Sequence, residues 1–279
     1  MSARSWRQRV TLAGCLLVGL CLTPLVHAGR SCNDPQPPKT QTVERGLNLA
    51  LRTTQALDKS GAQVVLLARA GQDLSQYGLV YSHLGLAYKQ PDGQGKTVWR
   101  VLHKLNECGT AVAAIYKQGV GNFFLDDLWR YEAAWVVPTP DVQARLLEVL
   151  TDPQRSVRLH HAPYSMLSYA WGQKYQQSNQ WAIETLAMAL DPQEVDMAKA
   201  SRQGAQAWLS QKGYTPGVLT IGPLPRLGAR VPRANVAFDD HPNEKRFSDR
   251  IETITVDSVF AWMLRSGLAQ GKVMTLGPN

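Results

Sequence analysis

Segments typical of β-strands lie in the first half of the chain, and segments typical of helices dominate the second half. Short apolar runs bounded by turn-forming residues predict the strands, and the turn QPDGQGK at residues 90–96 predicts a β-hairpin between two of them. The predicted strands cover residues 63–70, 79–89, 97–105 and 130–138. Strands followed by helices are typical of the α+β class, so we expect a sheet packed on helices.

Apolar residues that recur at helical spacing predict the helices. One helix precedes the strands, at residues 42–59, and the others are expected at residues 141–150, 179–190, 193–212 and 257–268. Residues 214–250 are rich in proline, glycine and charge, which predicts loops with short strands. The length suits one domain over residues 29–279, or one in which residues 214–279 form a C-terminal extension.

The first 28 residues have the layout of a signal peptide. Arginines at positions 4, 7 and 9 precede an apolar run at residues 11–25, and Val26-His27-Ala28 supplies small residues for signal peptidase. The run has about 15 apolar residues, fewer than the roughly 20 that a spanning helix needs. We therefore expect cleavage after Ala28, a periplasmic or secreted product, and no transmembrane anchor after cleavage.

The formal net charge of +8 comes from scattered lysines and arginines. Because they form no run or stripe, the sequence does not predict nucleic-acid binding. Weak attraction to an anionic polymer of the cell envelope stays open.

Two histidine-containing clusters are candidate metal sites. His160-His161 alone offers too few converging ligands for a metal, and Asp239-Asp240-His241 suits either a cation or a loop held by side-chain turns. We expect the turn, and we expect no metal and no cofactor.

Cys32 and Cys108 are the two cysteines of the expected mature chain. In an oxidising compartment two such thiols most often pair, so a disulfide is predicted. It would close a loop of about 75 residues and stabilise the fold by about 3–4 kcal/mol. The alternative is that Cys108 is a free nucleophile.

Two histidines lie in the predicted hairpin. A symmetric pairing about Gly93 would set His83 directly opposite His103 on one face of the sheet, about 5 Å apart at Cβ. One imidazole could then act as a base oriented by the other, which is an arrangement that activates a serine or cysteine. The alternative is an ordinary pair of histidines hydrogen-bonded in the sheet.

Four segments stand out: YSHLGLAYK, WRVLHKLNECGT, FFLDDLWRYEAAWVVP and SNQWAIE. They resemble a bacterial family of secreted proteins of unassigned role, domain of unknown function 2145, and the resemblance covers most of the expected mature chain. That family is similar, more distantly, to circularly permuted NlpC-type papain-like proteins. The resemblance implies a permuted papain-like architecture, with a histidine strand first, a second polar residue on the next strand, and the nucleophile at the start of a later helix.

Carried onto this sequence, the resemblance makes His83 the base and His103 the orienting residue. At the expected cysteine position the chain has Ser178, followed by Asn179 and Gln180. Ser178 could be a hydroxyl nucleophile, or it could only cap the helix. Asn179 and Gln180 are candidate donors to a bound carbonyl.

Five aromatic residues cluster before and within the same predicted helix: Tyr164, Tyr169, Trp171, Tyr175 and Trp181. Aromatic rings of this kind either form the walls of a groove for peptide or sugar, or pack in the core. Tyr164, Tyr169 and Trp181 are the candidate groove residues.

The sequence therefore leaves two functions open. One is an amidase, acyl hydrolase or acyltransferase that acts on an envelope peptide, glycan or lipid. The other is a catalytically inactive periplasmic protein that uses the same fold for binding or assembly.

Overall fold

A six-stranded antiparallel sheet lies at the centre of the computed structural model, which describes residues 37–191, 199–223 and 235–277. Its strands are β1 Val64–Ala70, β2 His83–Pro91, β3 Thr97–Asn106, β4 Ala113–Gly119, β5 Arg130–Pro138 and β8 Ala269–Leu276. They run in the order β4-β3-β2-β1-β5-β8 across the sheet. All neighbouring pairs are antiparallel, which confirms an α+β fold with a sheet packed on helices.

Both faces of the sheet are covered. Helices α1 (Thr40–Lys59) and α2 (Val120–Phe124) pack on one face, through a cluster that includes Leu67, Val101 and Phe123. The opposite face carries a larger cluster, to which four helices contribute: α3 (Pro140–Thr151), α5 (Ser178–Leu190), α6 (Arg202–Gln211) and α8 (Val256–Arg265). Burial on both sides explains why the predicted strands read as continuous apolar runs rather than as alternating patterns.

A smaller unit completes the described residues. Strands β6 (Gly217–Thr220) and β7 (Arg250–Thr253) form a two-stranded antiparallel sheet, with the short helix α7 (Asn243–Phe247) before β7. Another short helix, α4 (Pro153–Val157), follows α3 and has its N-terminus capped by the Asp152 carboxylate. These elements confirm the prediction of loops with short strands within residues 214–250, as far as that range is described.

The predicted central strands and most helices are confirmed, whereas both edge strands were missed. β4 and β8 each have one neighbour, and many of their side chains are exposed. They therefore lack the continuous apolar run by which the inner strands were found. The helix α2 was also missed, because its five residues are too few to show a helical period.

Some predictions fall outside the described residues. These are the signal peptide at residues 1–28, Cys32, and the first part of the helix predicted at residues 193–212. Where that helix is described, it begins at Arg202 after Ser201, whose side chain accepts from the Gly204 N–H. Among the described helices, none combines the length and apolar character needed to cross a bilayer.

Candidate active site

Ser178 occupies the first turn of α5, where the preceding Gln177 is the N-cap residue. The hydroxyl of Ser178 does not cap the helix, and its Oγ lies 3.1 Å from Nδ1 of His83. The alternative that Ser178 only caps the helix is therefore wrong. α5 begins one residue earlier than expected, and this places the serine inside the helix with its side chain turned toward the sheet.

His83 is the first residue of β2, and its ring contacts both Ser178 and a second imidazole. Nε2 of His83 lies 2.9 Å from Nδ1 of His103, and Nε2 of His103 lies 3.0 Å from Oε1 of Gln118 on β4. We call these four side chains, Ser178, His83, His103 and Gln118, the relay. Gln118 was missed at the level of sequence because its strand was not predicted.

The two histidines lie on one face of the sheet, although they are not directly opposed. Leu86 pairs with Leu102, so the register is shifted by two residues from a pairing centred on Gly93. Because side chains alternate with a period of two, a two-residue shift keeps both rings on the same face. The prediction of direct opposition is wrong, and the prediction of a shared face is confirmed.

The turn between β2 and β3 explains the register. Oδ1 of Asp92 accepts from the backbone N–H groups of Gln94 and Lys96, at 2.7 and 3.1 Å. Gly93 and Gly95 flank Gln94 and both have positive φ, 81° and 82°, a conformation that glycine adopts without strain. The side-chain turn at Asp92 centres the hairpin on Gln94 instead of Gly93.

Gly85 leaves the space in which the imidazoles meet. A Cβ at this position would overlap Cγ1 of Val101 and lie 3.1 Å from the Phe123 ring and 3.5 Å from Cβ of His103. The Phe123 ring packs against both imidazoles, with centroids 5.8 Å from His83 and 5.2 Å from His103. Any larger residue at Gly85 would displace the Phe123 ring, which packs against both imidazoles of the relay.

Both imidazoles are held neutral. Burial, followed by the nearby Arg69 guanidinium, brings the pKa of His83 well below its ordinary value. The same two causes lower the pKa of His103 to about 4. Both rings are therefore unprotonated at neutral pH, as a general base must be, and the lowered pKa makes each a weaker base than a free imidazole.

Arg69 is a buried cation on β1, and it lies opposite His83 of β2 in the register of the sheet. Its guanidinium forms an ion pair with Asp126 at 2.8 Å and donates to the backbone carbonyl of Phe123. The sequence analysis did not predict the pairing of Arg69 with Asp126. Their contact joins residues 57 positions apart, which no local pattern indicates.

Tyr164, one of the predicted groove residues, is buried beside Ser178, and burial raises its pKa to about 12. Tyr169 packs on His241, with ring centroids 5.2 Å apart. Trp181 is fully buried in the larger core cluster, so its predicted place in a groove is corrected to a core position.

The Asn179 and Gln180 side chains are bound within the protein. Asn179 accepts from the Leu84 N–H at 2.8 Å and donates to the carbonyls of Ser82 and Ile254. Gln180 accepts from the Ser168 hydroxyl at 2.7 Å and donates to two backbone carbonyls. With their amide donors occupied, Asn179 holds α5 against β2 and Gln180 holds it against residues 168–170, and neither offers a donor to a ligand.

Backbone N–H groups remain as candidate donors at the same place. The first turn of a helix has no intrahelical acceptors for its N–H groups, and the helix dipole adds partial positive charge there. Ser178 to Gln180 form that turn of α5, and the side chain of Gln177 donates to Thr253 instead of capping them. This end of α5 therefore suits a developing negative charge beside the Ser178 hydroxyl.

Two other predicted sites are the Asp239-Asp240-His241 cluster and the cysteine pair, of which Cys32 lies outside the described residues. Asp240 accepts from the Tyr169 N–H and lies 3.0 Å from His241, so this cluster holds its loop against a distant segment of the chain, and the side-chain turn stays a prediction. No group of three or more metal-ligating side chains occurs within the described ranges. Cys108 lies in the loop between β3 and β4, and its predicted bond with Cys32 stays a prediction because Cys32 is outside the described residues.

Fold and site together define an α+β protein with a buried serine–histidine–histidine relay at a helix N-terminus. The sequence profile of a family described as an uncharacterised protein conserved in bacteria, domain of unknown function 2145, matches residues 56–263. The chain belongs to this family. No curated protein and no solved structure matches the chain.

Proposed function

We propose that this chain is an exported serine-dependent acyl hydrolase or acyltransferase. The observation that carries the proposal is the contact between Ser178 Oγ and His83 Nδ1, at 3.1 Å, continued by His103 at 2.9 Å. A hydroxyl, a base and a group that orients the base are the three parts that nucleophilic acyl transfer needs. They come from residues 95 and 20 positions apart in the sequence.

In the proposed reaction Ser178 Oγ attacks the carbonyl carbon of an amide or ester while its proton passes to Nδ1 of His83. The backbone N–H groups at the start of α5 stabilise the negative charge that develops on the carbonyl oxygen. His83 then gives this proton to the departing amine or alcohol, and the acyl group stays bound to Ser178. Water or a second acceptor, deprotonated by His83, then releases that acyl group.

The substrate class and compartment are parts of the same proposal. The signal-peptide layout of residues 1–28 supports an envelope location, where the abundant amides and esters belong to peptides, glycan substituents and lipids. The order of the elements, with a histidine strand, a second histidine on the next strand and then the nucleophile helix, supports a circularly permuted papain-like architecture of the NlpC type. A serine in place of the cysteine distinguishes this chain from that pattern.

Covalent labelling tests the proposal. We would treat the purified mature protein with a fluorophosphonate and locate the adduct by peptide mass spectrometry. An adduct at Ser178 is expected, and it should be lost in Ser178→Ala and in His83→Ala. His161→Ala is the matched control, because His161 lies outside the relay with its ring nitrogen 3.1 Å from the Lys174 carbonyl, and it should label like the wild type.

A second candidate is a non-catalytic binding or assembly protein on the same fold. The observation that favours it is the burial of the site, since Ser178 and His83 expose 5% and 8% of their surfaces. An unlabelled Ser178 in a protein that unfolds cooperatively would favour this candidate over the enzyme.

A further inference from the structure

We infer that Gln118 is a positioning residue that sets the direction of every hydrogen bond in the relay, and with it whether His83 can act as a base. The inference rests on the proposed function and assigns a role to a residue that does not touch Ser178. It starts from the contact between Oε1 of Gln118 and Nε2 of His103, at 3.0 Å.

A neutral imidazole has one donor and one acceptor nitrogen, so one hydrogen bond determines the other. With the Gln118 carbonyl oxygen as acceptor, the His103 proton must lie on Nε2, and Nδ1 of His103 becomes an acceptor. The His83 proton must then lie on Nε2, where it is donated to His103. Nδ1 of His83 is left unprotonated, 3.1 Å from the Ser178 hydroxyl.

With this arrangement Ser178 donates to His83, His83 to His103, and His103 to Gln118. All three hydrogen bonds point the same way.

The opposite direction is equally consistent as a set of hydrogen bonds, but it disables the site. If position 118 donated to His103, each imidazole proton would move to Nδ1, and His83 would donate to Ser178 instead of accepting from it. Burial keeps both imidazoles neutral, so the relay cannot satisfy both directions by taking up a second proton. The acceptor at position 118 therefore selects the reactive arrangement.

The position of Gln118 allows this to be tested without disturbing the core. It lies on the edge strand β4 and is half-buried, opposite Val101 of β3. Gln118→Leu removes the acceptor at similar size. Gln118→Glu keeps an acceptor at the same place and adds a negative charge.

The first measurement is the tautomeric state of the histidines by ¹⁵N NMR, assigned through single-histidine variants. Protons on Nε2 of both His83 and His103 are expected in the wild type and in Gln118→Glu at alkaline pH, with a mixture in Gln118→Leu. A proton on Nδ1 of His83 in the wild type, or tautomers that Gln118→Leu leaves unchanged, would overturn the inference.

The second measurement is the rate of fluorophosphonate labelling of Ser178 against pH. Gln118→Leu should label about tenfold more slowly at all pH values, the factor supplied by one hydrogen bond worth about 1.4 kcal/mol. In Gln118→Glu the carboxylate should raise the pKa of His103, and protonated His103 can no longer accept from His83. Labelling should therefore match the wild type at alkaline pH and fall at a higher pH than in the wild type as the solution is acidified.

Equal rates and equal pH profiles in all three proteins would reject a positioning role. The NMR result is independent of reactivity. If Ser178 is never labelled while the tautomers still respond to Gln118→Leu, the role of Gln118 stands and the proposed nucleophile fails.

Discussion

His103 and Lys104 are adjacent on β3 and point to opposite faces of the sheet, each into a buried polar network. His103 lies in the relay beside Phe123. On the other face, Lys104 donates to the carbonyl of His161 at 2.6 Å and to Gln176 at 2.8 Å. We call the second set, Lys104, Gln176, Glu184 and Arg202, the lysine network.

The two networks differ in how they end. In the lysine network Gln176 donates to Glu184 at 2.6 Å, and Arg202 binds both oxygens of the same carboxylate at 2.8 and 3.1 Å. This network ends in a buried ion pair and in backbone carbonyls, which suits a structural role. The relay ends in a hydroxyl beside a helix N-terminus, with neutral imidazoles behind it. Burial of polar groups alone therefore does not identify a functional site, whereas an end group that can react does.

The largest expected effect is on stability, in the lysine network. Glu184→Ala would leave Arg202 as an uncompensated buried charge and remove the acceptor for Gln176, so we expect the free energy of unfolding to fall by about 3–5 kcal/mol. Urea unfolding measures this. Glu148→Ala is the control, because its contact with Arg155 at 3.9 Å is largely exposed and should contribute at most about 0.5 kcal/mol. A similar small loss in both variants would show that the lysine network is not structural.

The pH dependence of stability should separate the two networks. Burial lowers the pKa of His103 to about 4 and that of Lys104 to about 7, so both folded-state groups resist protonation. For His103 the unfolded state binds the proton more readily between pH 6.5 and 4, so stability should fall as pH decreases through that window. For Lys104 the same argument applies between pH 10.5 and 7, so stability should rise as pH increases there.

Each group contributes up to about 1.4 kcal/mol per pH unit in its window. Urea unfolding at a series of pH values should show a shallower acid limb in His103→Gln, with His83 and His160 supplying the remainder, and a shallower alkaline limb in Lys104→Met. If His103→Gln left the acid limb unchanged, or Lys104→Met left the alkaline limb unchanged, the assignment of that limb would be wrong.

The smallest expected effect is a rate difference at the relay. Ser178→Cys introduces a thiol whose proton His83 can accept and whose thiolate the helix N-terminus stabilises. We expect its alkylation by iodoacetamide at neutral pH to be at least about tenfold faster than that of Ser165→Cys. Ser165 is the matched control, a buried serine whose hydroxyl donates to the Ala237 carbonyl instead of to a histidine. Peptide mass spectrometry follows the alkylation of each variant. Equal alkylation rates at the two positions would show that the relay does not activate position 178.

Much of the fold was readable from local patterns, because inner strands and long helices are buried and buried elements show apolar runs or a helical period. β5 was predicted at its observed bounds, residues 130–138, and α1 within two residues. The edge strands β4 and β8 escaped because the sheet covers only one of their edges and solvent covers many of their side chains. Missing β4 also meant missing Gln118.

The sequence by itself predicted that His83 and His103 share a face, and this is confirmed because the observed register differs from the predicted one by two residues, an even number. It also placed a serine near the start of a buried helix. Only the tertiary structure decided that this serine meets His83, since α5 docks on β2 through Asn179 and packing across 95 residues has no local signature. The neutrality of both imidazoles was likewise decided there, because burial and the approach of Arg69 exist only once the sheet and α2 have closed around them.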